Sequence, residues 1–436
     1  MMMIRAISFI AICLVSFSSL SSQTKLTLQD AVKRTLENNY NILIVKKDVE
    51  IAENSVDYGN AGFLPRLDAS GSYRYSAEDA ETITSQGTFP GNNNETTNLN
   101  GAITLGWTLF DGFAMFARYD RFEEIEKLNK ITLQLEIETR LQELFNVYYQ
   151  IKMLNKNIGL LEETLKFSED RVEFLTASNE YGATTGTEVL RAKVDYNTDF
   201  SNLQRQQVAL KTAKYQLKYI MGEVTTEDYE LTSDLAVNES YDYNALKGMA
   251  FERNSSIQQA MINKEITEQD ERIIEAAYYP NIQFSTGYSY SEQTSKVGFI
   301  LGSNSEGVNA QLSLNWNLFD GFRTRIADQN TELSIEKQDI FIQNIRAMIE
   351  TNLLTNYQAY TDLKDVLKLE EENLVTATEN FERSKSMFKY GTINSLDLRQ
   401  SQINLLATEQ RIVNLKHEIK TYETTLLMLS GQLRGE

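Results

Sequence analysis

The sequence is poor in the residues from which catalytic and metal sites are usually built. It contains one cysteine, Cys13, one histidine, His417, and three prolines in 436 residues. The sequence offers no histidine pair and no cysteine ligand for a metal, and no nucleophile with its base can be assigned. The sequence therefore predicts no enzyme, no metal and no cofactor, and it predicts that His417 is a solvated helix residue.

Basic residues are also in short supply. The chain has 42 lysines and arginines against 61 aspartates and glutamates, which gives a formal net charge of −19. Binding of nucleic acid needs a basic surface, so no nucleic-acid partner is expected. Beyond the N-terminus, no segment remains apolar over the roughly 18 residues that a transmembrane helix needs.

The N-terminus has the features of a secretory signal peptide over residues 1–22. Arg5 precedes an apolar run that begins at Ile7, and the small residues Ser19 and Ser21 suit cleavage. Cys13 would be removed with this segment, so the exported chain would have no disulfide. Such a chain must be held together by packing and by backbone hydrogen bonds.

The sequence also contains an internal duplication. The segment Trp107–Phe113 recurs as Trp316–Phe322, and Tyr181 recurs as Tyr390, each followed by glycine, at an offset of 209 residues. A constant offset over such a length indicates rigid elements of fixed length. The duplication predicts a first repeat at 23–222, an acidic connector at 223–242 and a second repeat at 243–436.

Long helices are predicted in both repeats. Gly159 is the only glycine or proline between Phe113 and Thr176, and apolar residues recur at three- and four-residue spacing. The pattern predicts helical hairpins at 113–221 and 322–430, and shorter helices near 41–62 and 256–277. Where the second helix of each hairpin begins, one pair of residues has the spacing of a capping box: Thr185 with Glu188 in the first hairpin, and Asn394 with Asp397 in the second.

Strands precede each helical hairpin, at 66–110 and 281–319. Apolar and polar residues alternate there in runs of about ten, the length that a tilted strand needs to cross a bilayer. Pro65 and Pro280 precede the strands at an offset of 215, and the six-residue difference from 209 is expected in a loop. Aromatic residues at the ends of the apolar rows fit membrane interfaces: Tyr73, Tyr75, Trp107, Tyr288, Tyr290 and Trp316.

A soluble antiparallel sheet with one wet face would show the same alternation. The polar rows are mostly uncharged Ser, Asn, Thr and Gln, which favours a water-filled lumen. Four strands cannot close a barrel in lipid, so copies of the chain must pool their strands. Two copies would give eight strands and a filled interior, whereas three would give twelve and begin to leave a lumen.

These features resemble the TolC-type outer-membrane channel proteins over nearly the whole exported chain. The resemblance rests on the duplicated plan, the Leu-Phe-Asp-Gly segments at 109–112 and 318–321, and the Tyr-Gly turns. It implies an α+β membrane protein: a trimer with a 12-stranded β-barrel, continued by a long antiparallel α-helical periplasmic tunnel. The strand–helix junctions would be Pro65, Pro280, Asp111, Gly112, Asp320 and Gly321, with both aspartates capping the helices.

The resemblance also implies a function and its partners. The chain would be the outer-membrane exit duct of a Gram-negative tripartite efflux or type I secretion system. A periplasmic adaptor would link it to an inner-membrane pump of the RND, ABC or MFS type. The adaptor would contact the tip turns at Tyr181, Gly182, Gly186, Tyr390, Gly391 and Ser395. The alternative is a non-conducting, periplasm-spanning coiled coil that only anchors in the membrane.

The family closes its periplasmic mouth with a ring of acidic residues past the second tip turn. Asp397 falls on the matching position, and Glu188 is its counterpart in the first repeat. Where better-studied members link this gate with a tyrosine and an arginine, this chain has Phe388 and Ile393. Gln400 stands at a second acidic position.

Overall fold

The computed structural model describes residues 24–85, 87–225, 228–237, 240–296 and 301–433, so the predicted signal peptide lies outside the described residues. The chain divides into two compact units. The first comprises Met1–Asn39, Leu141–Glu239 and Tyr360–Thr424. The second comprises Tyr40–Arg140, Ser240–Ala359 and Thr425–Glu436.

The strands and helices follow one order in the two halves of the chain. The first half contains β1 (Thr24–Leu26), α1 (Leu28–Asn38), α2 (Tyr40–Ser55), α3 (Tyr58–Ala61), β2 (Arg66–Thr84), β3 (Gly87–Asp111), α4 (Ala114–Glu180) and α5 (Gly186–Ile220). The second contains β4 (Tyr229–Leu231), α6 (Tyr243–Arg253), α7 (Ser255–Glu275), β5 (Asn281–Ser295), β6 (Gly302–Asn315), α8 (Arg323–Lys389) and α9 (Ser395–Leu429).

The long helices repeat with the offset that the sequence predicts. Helices α4 and α8 each have 67 residues, and α5 and α9 each have 35. All four pairs of helix ends are offset by 209 residues. The helices lie within a residue or two of the predicted hairpins at 113–221 and 322–430.

The shorter helices are more numerous than predicted. Helices α2 and α7 occupy the predicted places, but α1 and α6 were missed because each is only 11 residues long. An asparagine separates α1 from α2 and α6 from α7. The Asn39 side chain donates to the Ile220 carbonyl at 2.8 Å, and the Asn254 side chain donates to the Leu429 carbonyl at 3.0 Å. The same contact thus anchors the end of each helical hairpin.

The four long strands form one antiparallel sheet in the order β2-β3-β5-β6. The two hairpins pair through β3 and β5, so β2 and β6 are the edges. The first hairpin stays paired as far as Thr84 and Gly87. Its extra residues therefore lengthen the strands, and the expectation that the six-residue difference lies in a loop is wrong. The last strand ends at Asn315, four residues before the predicted end.

The connector at 223–242 contains a strand. Within it, β4 pairs in parallel with β1 at the start of the described chain. The buried Tyr148 hydroxyl on α4 donates to the Leu26 carbonyl at 3.2 Å and accepts from the Ser233 amide at 3.2 Å. The Tyr148 side chain thus satisfies a backbone carbonyl and a backbone amide beside this short strand pair. The local sequence pattern does not reveal such a tertiary contact.

Candidate functional site

One face of the four-stranded sheet is mainly apolar. Paired residues of antiparallel strands share a face, and the register aligns Leu105 with Leu67, Phe284 with Trp107, and Leu312 with Phe284. Many of the large side chains on this face are exposed, with 68% exposure for Leu312. From Leu99 to Trp107 the apolar row of β3 spans about 27 Å at roughly 3.4 Å per residue, close to the apolar band of an outer-membrane sheet.

The opposite face carries a layer of small polar side chains. Ser72, Asn100 and Ser291 are aligned across three strands. The Asn100 amide donates to Ser72 at 3.4 Å, and the Ser291 hydroxyl donates to Asn100 at 2.7 Å. Uncharged hydroxyls and amides of this kind remain hydrated without fixing a strong charge, which suits a surface in contact with water.

The predicted interfacial aromatics lie on or near this sheet. Tyr73, Tyr75, Trp107, Tyr288 and Trp316 are exposed, whereas Tyr290 is half-buried. The Trp107 indole donates to the Phe63 carbonyl at 2.8 Å, and the Trp316 indole donates to the Tyr278 carbonyl at 3.0 Å. Each indole thus links a strand end to the turn just before Pro65 or Pro280, so the same junction is built twice.

Asp111 and Asp320 start the long helices, as the sequence predicts. An Asp111 carboxylate oxygen accepts from the Met115 amide at 3.1 Å, and Asp320 accepts from the Thr324 amide at 2.8 Å. The Thr324 hydroxyl also donates to Asp320 at 2.6 Å, and this bond, together with that from the Thr324 amide, holds the pKa of Asp320 below its usual value. The charge also suits the positive end of the helix dipole.

Each junction contains two consecutive residues in the left-handed backbone region. Gly112 and Phe113 have φ of 71° and 70°, and Gly321 and Phe322 have φ of 73° and 67°. A left-handed phenylalanine is uncommon because its Cβ crowds the backbone. The left-handed backbone of these phenylalanines was not predicted, although both repeats of the motif end in phenylalanine.

The two tip turns have the same hydrogen-bond pattern. Amides of Gly182 and Ala183 donate to carbonyls of Asn179 and Ser178 at 3.0 and 2.8 Å. Gly391 and Thr392 do the same at 2.9 Å in the second turn. This is the Schellman ending of a helix, which needs a left-handed residue and therefore favours glycine.

The predicted tip surface is only partly exposed. Tyr181 and Tyr390 are 88% and 81% exposed, and Gly182, Gly186 and Gly391 also lie at the surface. Ser395 is instead buried, and its carbonyl accepts a hydrogen bond from Arg171 of α4. Of the predicted contact residues, the tyrosines and the glycines are therefore the accessible ones.

The two candidate gate carboxylates have different surroundings. Asp397 is exposed in the first turn of α9, where Asn394 caps the helix by accepting from the Leu396 and Asp397 amides at 2.9 Å. Glu188 is half-buried and accepts from the Thr184 hydroxyl at 3.2 Å. The predicted capping box at Thr185 is wrong, since the Thr185 side chain makes no capping bond.

His417 is half-buried, so the expectation of a solvated residue is wrong. Burial lowers the pKa of His417, although the Asn146 carbonyl accepts a hydrogen bond from the ring. Its Nε2 atom is buried without a hydrogen-bond partner among the described residues. In the described part of the chain no group of three or more His, Cys, Asp or Glu side chains is placed to hold a metal ion.

No helix in the described ranges has a stretch long and apolar enough to cross a membrane.

Solved structures with this arrangement of strands and helices are outer-membrane proteins. The outer membrane protein VceC of Vibrio cholerae superposes with a TM-score of 0.73 at 15% identity, covering 93% of this chain and 96% of VceC. At this level of identity the likeness shows the fold. The chain therefore has the fold of this outer-membrane protein.

The sequence matches the family described as "Outer membrane efflux protein" over residues 31–223 and 246–432, and the chain belongs to that family. It is 21% identical over 442 residues to outer membrane protein TolC of Salmonella enteritidis, covering 98% of this chain and 86% of TolC. It is 24% identical over 208 residues to outer membrane efflux protein BepC of Brucella suis, covering 47% of this chain and less than half, 43%, of BepC. The family predicted from the sequence is confirmed, and so is the predicted location of the protein in the outer membrane.

Proposed function

We propose that this chain is the outer-membrane exit duct of a tripartite efflux or type I secretion system. The observation that carries the proposal is the two-faced sheet, with an exposed, mainly apolar face on one side and a mostly uncharged polar face on the other. The apolar face would contact lipid and the polar face would line an aqueous passage. Among the described residues no group of three or more His, Cys, Asp or Glu side chains is placed to hold a metal ion, and the family and fold are those of transport proteins.

The duct requires several copies of the chain. The sheet ends at β2 on one side and β6 on the other, and open edges in lipid leave backbone groups unpaired at several kcal/mol each. Edge β6 of one copy would pair with edge β2 of the next in a head-to-tail ring. Three copies give the 12 strands that begin to leave a lumen.

The junction glycines support this ring. Within the chain, a Cβ on Gly112 would lie 2.3 Å from the Ala276 carbonyl oxygen, whereas a Cβ on Gly321 would meet nothing within 4 Å. The residue 215 positions before Ala276 is Ala61, at the end of α3. In the ring, Ala61 of the next copy would fill the space beside Gly321 as Ala276 fills the space beside Gly112.

The exposed tip turns, led by Tyr181 and Tyr390, would dock on a periplasmic adaptor that couples the duct to an inner-membrane pump. Asp397 would line the closed mouth, because it is exposed at the start of α9. Glu188 would contribute less to the ring, since it is half-buried and bonded to Thr184. The duct itself would be passive, with energy supplied by the pump.

Conductance in planar lipid bilayers tests this proposal against a non-conducting anchor. The purified protein, with its mass measured in detergent, should insert as a multimer and give discrete, cation-favouring current steps. A multimer that inserts but never conducts would support the anchor. A monomer that stays soluble without detergent would contradict both functions.

A further inference from the structure

The polar face of the sheet contains an arginine without a partner. Strand pairing carries this face across all four strands, and at one level it aligns Arg74 of β2 with Asn98 of β3, Gln293 of β5 and Ser303 of β6. Arg74 is exposed, and among the described residues its guanidinium makes no hydrogen bond or ion pair. Its three aligned neighbours are uncharged, so this level of the sheet carries a net positive charge.

The nearest charges on the same face lie at a distance from Arg74. Arg66 and Asp68, at the start of β2, form an ion pair with each other at 2.7 Å. Glu78 is the next charge in the other direction, four residues from Arg74 and so about 13 Å along the strand. The polar rows of β5 and β6 consist of serine, asparagine, glutamine and glycine. Arg74 is therefore an isolated positive charge on an otherwise neutral stretch of the face.

Assembly into a ring leaves Arg74 unpaired. Strand β2 is an edge of the sheet, and in the proposed ring it pairs with β6 of the next copy. Strand alternation keeps the two polar rows on one face, so only the polar row of β6 can lie beside Arg74. That row has no charged residue from Ser303 to Asn315. Whatever the register between copies, this strand places no carboxylate beside the guanidinium.

Arg74 lies at the end of the apolar band that is farther from the helices. Arg66 directly follows Pro65, and β2 runs from there towards its hairpin turn. Eight residues separate Arg66 from Arg74, a distance of about 27 Å at roughly 3.4 Å per residue. Arg74 pairs with Asn98, the neighbour of Leu99 at the end of the apolar row of β3. In the proposed duct this level is the outer end of the barrel.

Three copies would place three such arginines around one opening. Twelve strands about 4.8 Å apart and tilted by about 40° give a backbone circumference of about 75 Å and a radius of about 12 Å. The Debye length in 0.1 M salt is about 10 Å, which is close to this radius. The field of three guanidiniums on the wall therefore extends across most of the opening.

We propose that the three copies of Arg74 form an anion-binding ring at the outer end of the barrel, which binds solutes that carry several oxyanion groups, such as phosphates. The inference rests on the proposed function, because it requires three copies around one lumen. A guanidinium stays charged and presents its N–H donors in a planar fork that fits an oxyanion with two hydrogen bonds. Asn98, opposite on β3, adds an amide donor at the same level.

Block of single-channel current by inorganic tripolyphosphate tests the ring. The probe carries several phosphates, so one ion can bind more than one guanidinium. In a solution free of divalent cations it should reduce the current of the wild type. R74Q should raise the half-blocking concentration at least about tenfold, because charge-assisted hydrogen bonds are lost from all three copies. Equal block in R74Q and the wild type would overturn the proposal.

Two further variants serve as controls for R74Q. R66Q/D68N removes a positive and a negative charge together from the same face of the same strand, so block should be unchanged. R74K keeps the charge without the planar fork, so its half-blocking concentration should lie between those of the wild type and R74Q. Weakening in R66Q/D68N as large as in R74Q would overturn the proposal, as would a value for R74K no lower than that for R74Q.

The reversal potential in a KCl gradient gives a second readout. The chain has a net charge of −19, so the duct as a whole should favour cations. Loss of three positive charges should shift the reversal potential of R74Q further towards that of potassium. The shift should shrink as the salt rises from 0.1 M to 1 M, because the Debye length falls from about 10 Å to about 3 Å. No shift at 0.1 M would contradict the proposal.

Binding measured without conduction separates failure of the ring from failure of the duct. Isothermal titration of the wild-type multimer in detergent should show one tripolyphosphate bound per three chains, and R74Q should lose this site. No binding, or one ion per chain, would overturn the inference even if the wild type conducts. A multimer that binds the probe in this way but never conducts would contradict the duct and support the ring.

Discussion

At the residue scale, Asp397 is the most accessible of the candidate gate carboxylates. It is exposed in the first turn of α9 and its backbone amide is held by Asn394. A ring of such carboxylates would bind divalent cations through their oxygens. We therefore expect D397N to weaken block of single-channel current by divalent cations, with the helix cap retained.

Glu379 provides the control for this substitution. It lies exposed on α8 and pairs with Arg383 one turn away, so E379Q removes a carboxylate without touching the start of α9. Block should be unchanged in E379Q. Equal block in D397N and the wild type would remove Asp397 from the gate.

His417 should make folding sensitive to mildly acidic pH. Burial lowers its pKa in the folded state, so between that value and the ordinary pKa the unfolded chain binds more protons. Its contribution to stability is therefore present above the ordinary pKa of about 6.5 and is lost as the pH falls below it. Thermal unfolding in detergent from about pH 7.5 to about pH 5.5 should show a larger loss in the wild type than in H417N. The same loss in both proteins would assign the effect to other groups.

At the element scale, the alternation along each strand determines which residues contact lipid. Val308 and Asn309 are neighbours on β6 that lie on opposite faces, paired with Tyr288 and Gly287 of β5. Tyr288 is paired in turn with Ile103, in the middle of the apolar row of β3. Lysine on a lipid-facing position near the bilayer centre costs about 2–4 kcal/mol, whereas lysine in a lumen is tolerated. We expect V308K to lower insertion into outer membranes and N309K to insert normally, measured by membrane fractionation. Equal insertion would contradict the assignment of the faces.

Sequence pattern located the long helices and strands because their signals accumulate over many residues. The 67-residue helices show their apolar spacing over many turns, and the caps at Asp111 and Asp320 mark where they begin. Helices α1 and α6 were missed because 11 residues provide only about three turns of pattern. The extra length of the first strand hairpin was assigned to a loop, whereas these residues pair within the strands as far as Thr84 and Gly87.

At the scale of the whole molecule, substitutions at Gly112 and Gly321 distinguish the folding of one chain from the assembly of several copies. Both have a left-handed backbone, so alanine adds a similar strain of about 1–2 kcal/mol at either position. Only Gly112 is crowded within the chain. We expect G112A to reduce the yield of folded protein, and G321A to give a folded chain that assembles poorly.

Native mass measurement in detergent, together with circular dichroism, distinguishes these outcomes. A helical G321A protein with a reduced multimer fraction would agree with the ring. A fully assembled G321A protein would show that no neighbouring backbone approaches this glycine, and the head-to-tail contact at Ala61 would be wrong.

The candidate site was predictable in part. Tyr181, Tyr390, Asp397 and the junction aspartates could be located because turn and cap residues act through their own backbone. The burial of Ser395 and the surroundings of Glu188 could not, since both depend on side chains from distant parts of the chain. Phe388, for which the resemblance implies a gate position, packs against the cluster of Leu175, Val189 and Ala192.

The sequence by itself determined the duplicated plan, the two faces of the strands and the lengths of the long helices. These properties follow from periodicity and fixed spacing, which are local and repeat along the chain. Only the tertiary structure decided that Arg399 meets Asp199, that β4 pairs with β1, and that Gly112 is crowded while Gly321 is open. Such contacts join residues far apart in sequence, and their chemistry depends on burial, which no local pattern records.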